Sequence, residues 1–508
     1  MDTILAGIVD AFTLINILHI AAGVALGIIV GAIPGLNAPM ALAVAVPLTF
    51  YMNPLSAIAF LVGIAKGGAF GGAISAILLN TPGSPESTTT AFDGYPLAKQ
   101  GKGLKALKMA LYSSFTGDTF SDIVLFTVAA PMAILALRMG PPELAAVFAF
   151  SLTIIAGLAG NSLLRGLIAA TAGAFVACVG LDIETAQPRM TFGIPELIEG
   201  VPLIPMTIGL LALSEILIQI EAFALRREVP SKRISAFSKS LPAEDRNVSW
   251  AEFWECRRTL LRSALIGTGV GALPGIGAIV AGFLGYGAAQ RASDKPDEFG
   301  KGKLEGIAAT EAANSAVNGA NLIPLLALGI PGSLSAAILI GAFLIHGVTP
   351  GPMIFKDHGQ LVYGIFAAMM MANFINFSIG NVGLRLFALI INVPKNVILP
   401  IVTAICLAGA YSNGNTMFAV AVMLVFSVVG YFMRKLDYPF ATFIIGFALG
   451  RALEEAVRQT VLLYGSRPEA LLTRPIFMGF VLLTLFIILR IIWRGQRRNA
   501  ASGTSALV

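Results

Sequence analysis

Charge is what this chain has least of. Of its 508 residues only 12% are Asp, Glu, Lys or Arg, against roughly 25% in soluble domains, which excludes an ordinary water-soluble globule. Histidine and cysteine are as scarce. His19, His346 and His358 share no metal-ligand spacing, and Cys178, Cys256 and Cys406 are too scattered for a disulfide framework or a metal knot. All six read as packing or loop residues. No GxxxxGK[ST] loop occurs, so the chain carries no ATP-driven motor of that type. With three histidines and no matching serine motif, a membrane-embedded hydrolase or transferase lacks the nucleophile and base its chemistry needs.

What is abundant is hydrocarbon. Hydrophobic residues make up 56% of the chain, the mean hydropathy is +0.82, and apolar stretches near the length of one bilayer crossing, about 20 residues, recur from end to end. The composition predicts an all-α polytopic integral membrane protein. Its partner is the lipid bilayer, not nucleic acid, because the formal charge of +6 sits in a few short loops and the tail. The polar stretch from Arg226 to Arg262, with "RREVPSKR" and "ECRRTLLR", and the tail segment "RIIWRGQRR" carry the basic excess that the positive-inside rule places in the cytoplasm. The start, "MDTILAGIVDAF", has no basic region ahead of its apolar run and reads as a retained span rather than a cleavable signal.

Fifty-four glycines and 27 prolines are too many for a stack of unbroken helices. Backbone breaks survive in hydrocarbon only where protein or a water-filled cavity covers them. The breaks are not random. "GAIPGLNA" (31–38) returns as "GALPGIGA" (271–278), changed only by two Leu/Ile exchanges and by Gly277 where the first copy has Asn37. Some fifty residues after each copy comes a second Pro-Gly-Ser, "LLNTPGS" (78–84) and "LGIPGS" (328–333). The repeat divides the chain into a first half, 1–225, the basic connection 226–259, a second half, 260–495, and a basic then polar tail, 496–508. Inverted repeats with re-entrant or broken helices are the expected arrangement. Gly/Pro-interrupted segments at matching places in two halves point to the binding site of a secondary transporter.

Spans are expected near 12–32, 38–52, 55–79, 120–139, 142–160, 163–181 and 199–221, then near 260–273, 276–290, 307–328, 333–349, 361–392, 396–411, 416–434, 439–464 with a polar interruption, and 475–494. At each Pro-Gly break one helix ends in unpaired carbonyls and the next begins with unpaired amides. The amide end attracts a carboxylate and the carbonyl end suits a cation. Thr81, Pro82, Gly83 and Ser84 of the first break and Pro331, Gly332 and Ser333 of the second are therefore substrate-site candidates, with Asn37 and Gly277 from the earlier pair. Asn80 and Gly329 are coupling-ion candidates. Glu311 is either a structural acid or a proton or cation site. Asn314 and Asn318, with Asn321, fall near helical spacing and either hold ligand or join helices. Lys66, in the middle of "GIAKGGAFGG", costs about 2.5–3.5 kcal/mol at a helix centre and so faces a partner or a pathway; it is a further substrate-site candidate, as a fixed counter-charge for a carboxylate, or else stands in for a coupling cation.

Other signals have blander readings. Asp93 in "FDGYP" marks a turn, Glu454, Glu455 and Arg458 have intrahelical ion-pair spacing, and Gly23 with Gly27 and Gly67 with Gly71 form GxxxG pairs that suit close helix packing.

The chain resembles the large membrane subunit of the tripartite tricarboxylate transporters. The likeness rests on "GAIPGLNAPMALAVAVPLTF", "FGGAISAILLNTPGSPES", "TAFDGYPLAKQGKGLKAL", "RMTFGIPELIEG", "GALPGIGA", "FGKGKLEGIAATEAANSAVNGANLIPLLALGIPGS" and "PGPMIF". It runs from about residue 20 to the last span. It implies a permease of the bacterial inner membrane working with a small four-span membrane subunit and a periplasmic solute-binding protein, in an assembly that can dimerise. The implied cargo is a small organic anion such as citrate or a dicarboxylate, imported by symport with sodium or a proton, and no cofactor is expected. Independently of the resemblance, a repeat about a central site suits alternating access, with an elevator-like movement of the hairpin-bearing core expected and rocking the alternative. Two departures stand out. Lys66 lies where the family has uncharged residues, and Ser315 where it often has a second Asn.

Overall fold

In this computed structural model the described residues are 2–158, 162–182, 184–225, 245–275, 277–390 and 395–503. Residues 226–244 of the basic connection, Ile276 of the second Pro-Gly motif and 504–508 of the tail lie outside them. The order begins α1 (Asp2–Ala11), α2 (Leu14–Ala32), α3 (Ala38–Ala45), α4 (Pro54–Leu79), α5 (Ala91–Leu97), α6 (Gly103–Ala136), α7 (Pro141–Leu158) and α8 (Leu163–Ala177). A hairpin of β1 (Gly180–Leu181) and β2 (Pro188–Arg189) follows, in antiparallel register. Next come α9 (Leu203–Ile208), α10 (Ser214–Ala224), α11 (Trp250–Glu255), α12 (Arg257–Gly271), α13 (Gly277–Ala292), α14 (Leu304–Ala320), α15 (Leu322–Leu328) and α16 (Leu334–Ile345). The order closes with α17 (Ile354–Asp357), α18 (Gly359–Ile390), α19 (Lys395–Ser412), α20 (Met417–Lys435), α21 (Phe440–Tyr464) and α22 (Pro475–Gly503).

Six helical stretches among the described residues are long and apolar enough to cross a membrane, including Leu14–Ala32, Pro54–Leu79 and Gly359–Phe387. The protein is a polytopic, mostly helical membrane protein. The short hairpin is the one departure from an all-α chain among the described residues. Several expected spans are resolved differently. The stretch 38–52 is no single crossing, because Pro47 follows the short α3 and the chain tightens into a 3₁₀ segment, Val46–Tyr51. The 307–328 stretch kinks at Asn321, between α14 and α15. The interruption expected within 439–464 is absent, since "RALEEAVRQT" continues α21, and α22 runs on to Gly503 through the start of the tail.

By compactness the chain forms two units that each draw on both sequence halves. The first comprises Met1–Ile134 and Leu203–Tyr431, the second Leu135–Pro202 and Phe432–Val508. In the first unit the closest packing is between α2 and α4. A Cβ on Gly23 would come within 2.2 Å of Phe60 O, one on Gly27 within 2.4 Å of Ile64 O, and one on Gly67 within 2.3 Å of Val24 O. The glycine pairs thus set two backbones in contact, a distance no side chain fits. Gly27→Val is expected to cost about 3 kcal/mol, the upper end for overpacking. It should be read as a lowered unfolding midpoint in detergent, and an unchanged midpoint would show the two helices able to part.

The second unit is built on α7, α8, α21 and α22, and an ion cluster ties the hairpin to α21. Arg458 reaches Glu454 one turn back at 2.8 Å, as the spacing suggests, but also Asp182 at 2.8 Å, while Arg189 holds Glu454 at 2.6 Å. The N–H groups of Thr185 (2.9 Å) and Glu184 (3.0 Å) donate to Asp182, with Arg458 beside it. Together they hold its carboxyl down at about 2.

Candidate functional site

The two Pro-Gly-Ser breaks share a backbone form. α4 ends on Asn80 in the left-handed region (φ 54°, ψ 25°), and α15 ends at the corresponding place on Gly329 (φ 73°, ψ 18°). Asn and Gly are the residues that tolerate this cap. Four residues on, Ser84 (φ −127°, ψ 152°) and Ser333 (φ −151°, ψ 172°) are extended and open the next helical segment. The copies then diverge: Ser84 begins a 3₁₀ turn of four residues, Ser333 the twelve-residue α16. Ser333 Oγ accepts from the Ala336 N–H at 3.2 Å and from Asn321 Nδ2 at 2.8 Å. Ser84 Oγ lies 3.2 Å from Ser87 Oγ.

Within each half the earlier Pro-Gly motif rests against the later one. The Gly275 N–H donates to Gly332 O at 2.9 Å. In the first half a Cβ on Gly83 would meet Gly31 O at 2.2 Å, so only glycine lets this turn touch the last turn of α2. Asn37 Oδ1 caps α3 through the Met40 N–H at 3.0 Å, and Gly277, at φ 74°, opens α13. Each break also packs on the other half. The 3₁₀ turn and α5 after the first lie on α13 and α14, and α16 after the second lies on α3 and α4. Thr81, by contrast, is exposed and turned back toward Leu79 O.

Deeper in the first unit lies a charge cluster. Lys66 is 1% exposed. Its Nζ donates to Asp122 at 2.8 Å, Asp118 at 3.3 Å and Asn373 Oδ1 at 2.7 Å. Three donors have three acceptors, drawn from α6 and α18. Asn373 Nδ2 returns to Asp122 at 2.8 Å, and Asn318 Nδ2 of α14 reaches Asp118 at 3.4 Å. One ammonium faces two carboxyl groups, and Asp122 Oδ1 has no hydrogen-bond partner among the described residues. Sequence reading missed Asp118, Asp122 and Asn373. The signal was there in "TGDTFSDIVLF", two acids one helical turn apart in an apolar run, but nothing in the linear order joined them to Lys66.

Glu311 occupies a second buried polar position. The Thr90 hydroxyl of the first break's loop donates to it, as does Ser114 at 2.9 Å. No cation among the described residues pairs with it. One turn on, Asn314 Nδ2 and Ser315 Oγ are buried without partners, as is Thr89 Oγ1. Buried polar atoms are almost always satisfied, so this stretch of α14 keeps hydrogen-bonding capacity for a ligand or water. Of the three amides, Asn318 and Asn321 join elements and Asn314 stays free.

Asp93 does fix a turn, though a distant one and not its own. It lies in α5, and its carboxylate accepts the N–H groups of Gly300, Gly302 and Lys303 at 2.8–2.9 Å and the Tyr286 hydroxyl at 3.0 Å, pinning the loop before α14. His346 sits 3.3 Å from Thr49 Oγ1. Among the described residues no group of three or more His, Cys, Asp or Glu is placed to hold a metal.

Comparison with known proteins agrees with this architecture. A 52.8 kDa protein of Agrobacterium vitis, described by its place in the TAR-I ttuC' 3' region, is 33% identical over 470 residues, 92% of each chain. A second protein of that organism, from the TAR-II ttuC' 3' region, is 33% identical over 210 residues, 41% of this chain and 87% of its own. The profile of the family described as "Tripartite tricarboxylate transporter TctA family" matches residues 17–445. The chain therefore belongs to the TctA family and is the large membrane subunit of a tripartite tricarboxylate transporter, a transport protein and not an enzyme.

Proposed function

We propose that this subunit imports a small organic anion, a tricarboxylate or dicarboxylate such as citrate, across the bacterial inner membrane. A periplasmic solute-binding protein delivers the anion and a small four-span subunit completes the membrane complex. The observation that carries this reading is the paired, reciprocally packed Pro-Gly breaks, each left-handed at its carbonyl end and extended at its serine. Such breaks line binding sites in carriers built from repeats. The anion rests against the N-terminal end of α16 and the Ser84 and Ser333 hydroxyls, with Asn314 supplying a free amide. Neutral donors suffice for a carboxylate at a helix N-terminus. The halves act as inverted repeats, and the hairpin-bearing core moves past the remainder in an elevator-like exchange.

Lys66 takes the part of a tethered cation. Its three bonds leave no donor for a substrate carboxylate, so it balances Asp118 and Asp122 in place of a sodium ion, and a proton on the cluster or on Glu311 provides the coupling.

Ser333→Trp should abolish uptake into vesicles supplied with the binding protein and small subunit, while insertion and assembly persist. Ser333→Ala, which removes one donor to a charged ligand, should weaken apparent affinity roughly tenfold or more. Wild-type uptake in both variants would remove the assignment of the second break.

A further inference from the structure

A cavity of about 490 Å³ lies away from the Pro-Gly breaks, between the start of α6, the segment before α11 and the C-terminal half of α18. Three cations line it, Lys108, Arg246 and Arg385, with Asn247 and Asn381 between them, and no carboxylate is among the lining residues. Two acids close by in sequence are already engaged: Asp245 holds Lys102 at 2.8 Å and Glu252 holds Lys105 at 2.5 Å. Among the described residues Lys108 Nζ meets only a neutral oxygen, Asn247 Oδ1, at 2.6 Å, and Arg246 Nε is buried with no hydrogen-bond partner. Three positive groups around one cavity repel one another unless an anion sits between them.

The surroundings say what kind of anion. Val382 lines the cavity and is 87% exposed. On the same face of α18, at steps of four residues, Phe374, Ser378 and Leu386 are also exposed. The basic cavity therefore stands at the end of an outward-facing, mainly apolar stripe, on the side to which the positive-inside rule assigns the basic connection. A free anion has no use for the stripe; a lipid has a use for both. We infer that this cavity binds the phosphate headgroup of an acidic phospholipid, with its acyl chains along Phe374, Val382 and Leu386. Basic pockets between helices on the cytoplasmic side suit such headgroups, at about 1 kcal/mol per Lys or Arg.

The test is lipid retention by the purified full chain, measured by native mass spectrometry after exchange into phosphatidylglycerol or phosphatidylcholine. Wild-type protein should keep one more phosphatidylglycerol than the triple variant Lys108→Gln, Arg246→Gln, Arg385→Gln. Each single change should weaken retention roughly fivefold, and phosphatidylcholine should show no difference. Equal retention by wild type and triple variant overturns the proposal, as does displacement of the lipid by millimolar inorganic phosphate or citrate, which would make this a free-anion site. Should the triple variant fail to fold, photoreactive phosphatidylglycerol on the wild type decides: label in the α18 peptide around Val382 supports the site, and its absence there overturns it.

Discussion

Lys66→Met is expected to lower stability by roughly 3–5 kcal/mol, the usual cost of removing one partner from a buried ion pair. The substitution keeps the length and apolar stem of the side chain, so packing between α2 and α4 changes little and the loss reports charge. It strands Asp118 and Asp122, both buried, four residues apart on α6 with their cation gone. Two outcomes separate an ion site from mere architecture. Adding Asp118→Asn and Asp122→Asn to Lys66→Met should recover part of the lost stability, because buried neutral amides cost far less to desolvate than stranded carboxylates. In Lys66→Met alone, sodium should raise the unfolding midpoint, since a small cation can fill the place of the ammonium; the wild type should show no such response. A Lys66→Met protein as stable as wild type, or indifferent to sodium, removes the tethered-cation reading.

The parts of this molecule legible in its sequence are those written in local chemistry. Proline and glycine act on the residues beside them, so the breaks at 82–83 and 331–332 were readable, as was the doubling that pairs Asn80 with Gly329 and Ser84 with Ser333. Glycines four apart marked α2 and α4 as close-packing helices, but that the two meet each other came only from the structure. What stayed hidden depends on long-range pairing. Lys66 and Asn373 are 307 residues apart in sequence, and no periodicity relates them. Lys66 on its own therefore read equally as a counter-charge for substrate and as a stand-in for a coupling cation, and only its partners Asp118, Asp122 and Asn373 separate the two. Asp93 was legible in role but not in place. Asp-Gly is a local turn signal, but three backbone N–H groups from the loop at 300–303 reward a helical placement that brings its carboxylate to them. Helix lengths were less legible than helix positions: the acids of "RALEEAVRQT" suggested an interruption, yet Arg189 and Asp182 from the hairpin supply partners that let α21 run through.

Glu311→Gln should leave the protein folded and abolish concentrative uptake. Glu311 is fully buried on α14 and held by two hydroxyls, Thr90 and Ser114, with no cation among the described residues to balance it. Hydroxyls accept as well as donate, so either can turn to meet a glutamine amide, and the stability change should stay within about 1–3 kcal/mol. Glu311→Ala is the structural control, because it removes both contacts and opens a void. The informative comparison is between two transport assays on the Gln variant. Accumulation against a gradient needs a group that gains and loses a proton or cation; exchange of labelled for unlabelled anion at equal concentrations does not. If Glu311 is that group, exchange persists while accumulation falls to the equilibrium level. If it merely anchors the loop after the first break, Gln preserves both and Ala damages both. Thr90 links Glu311 to the proposed substrate site, since it belongs to the loop that follows Ser84. A change in the charge of Glu311 alters the hydrogen bond holding that loop to the second half, and under the proposed function this gives the coupling cation and the anion one physical element to share.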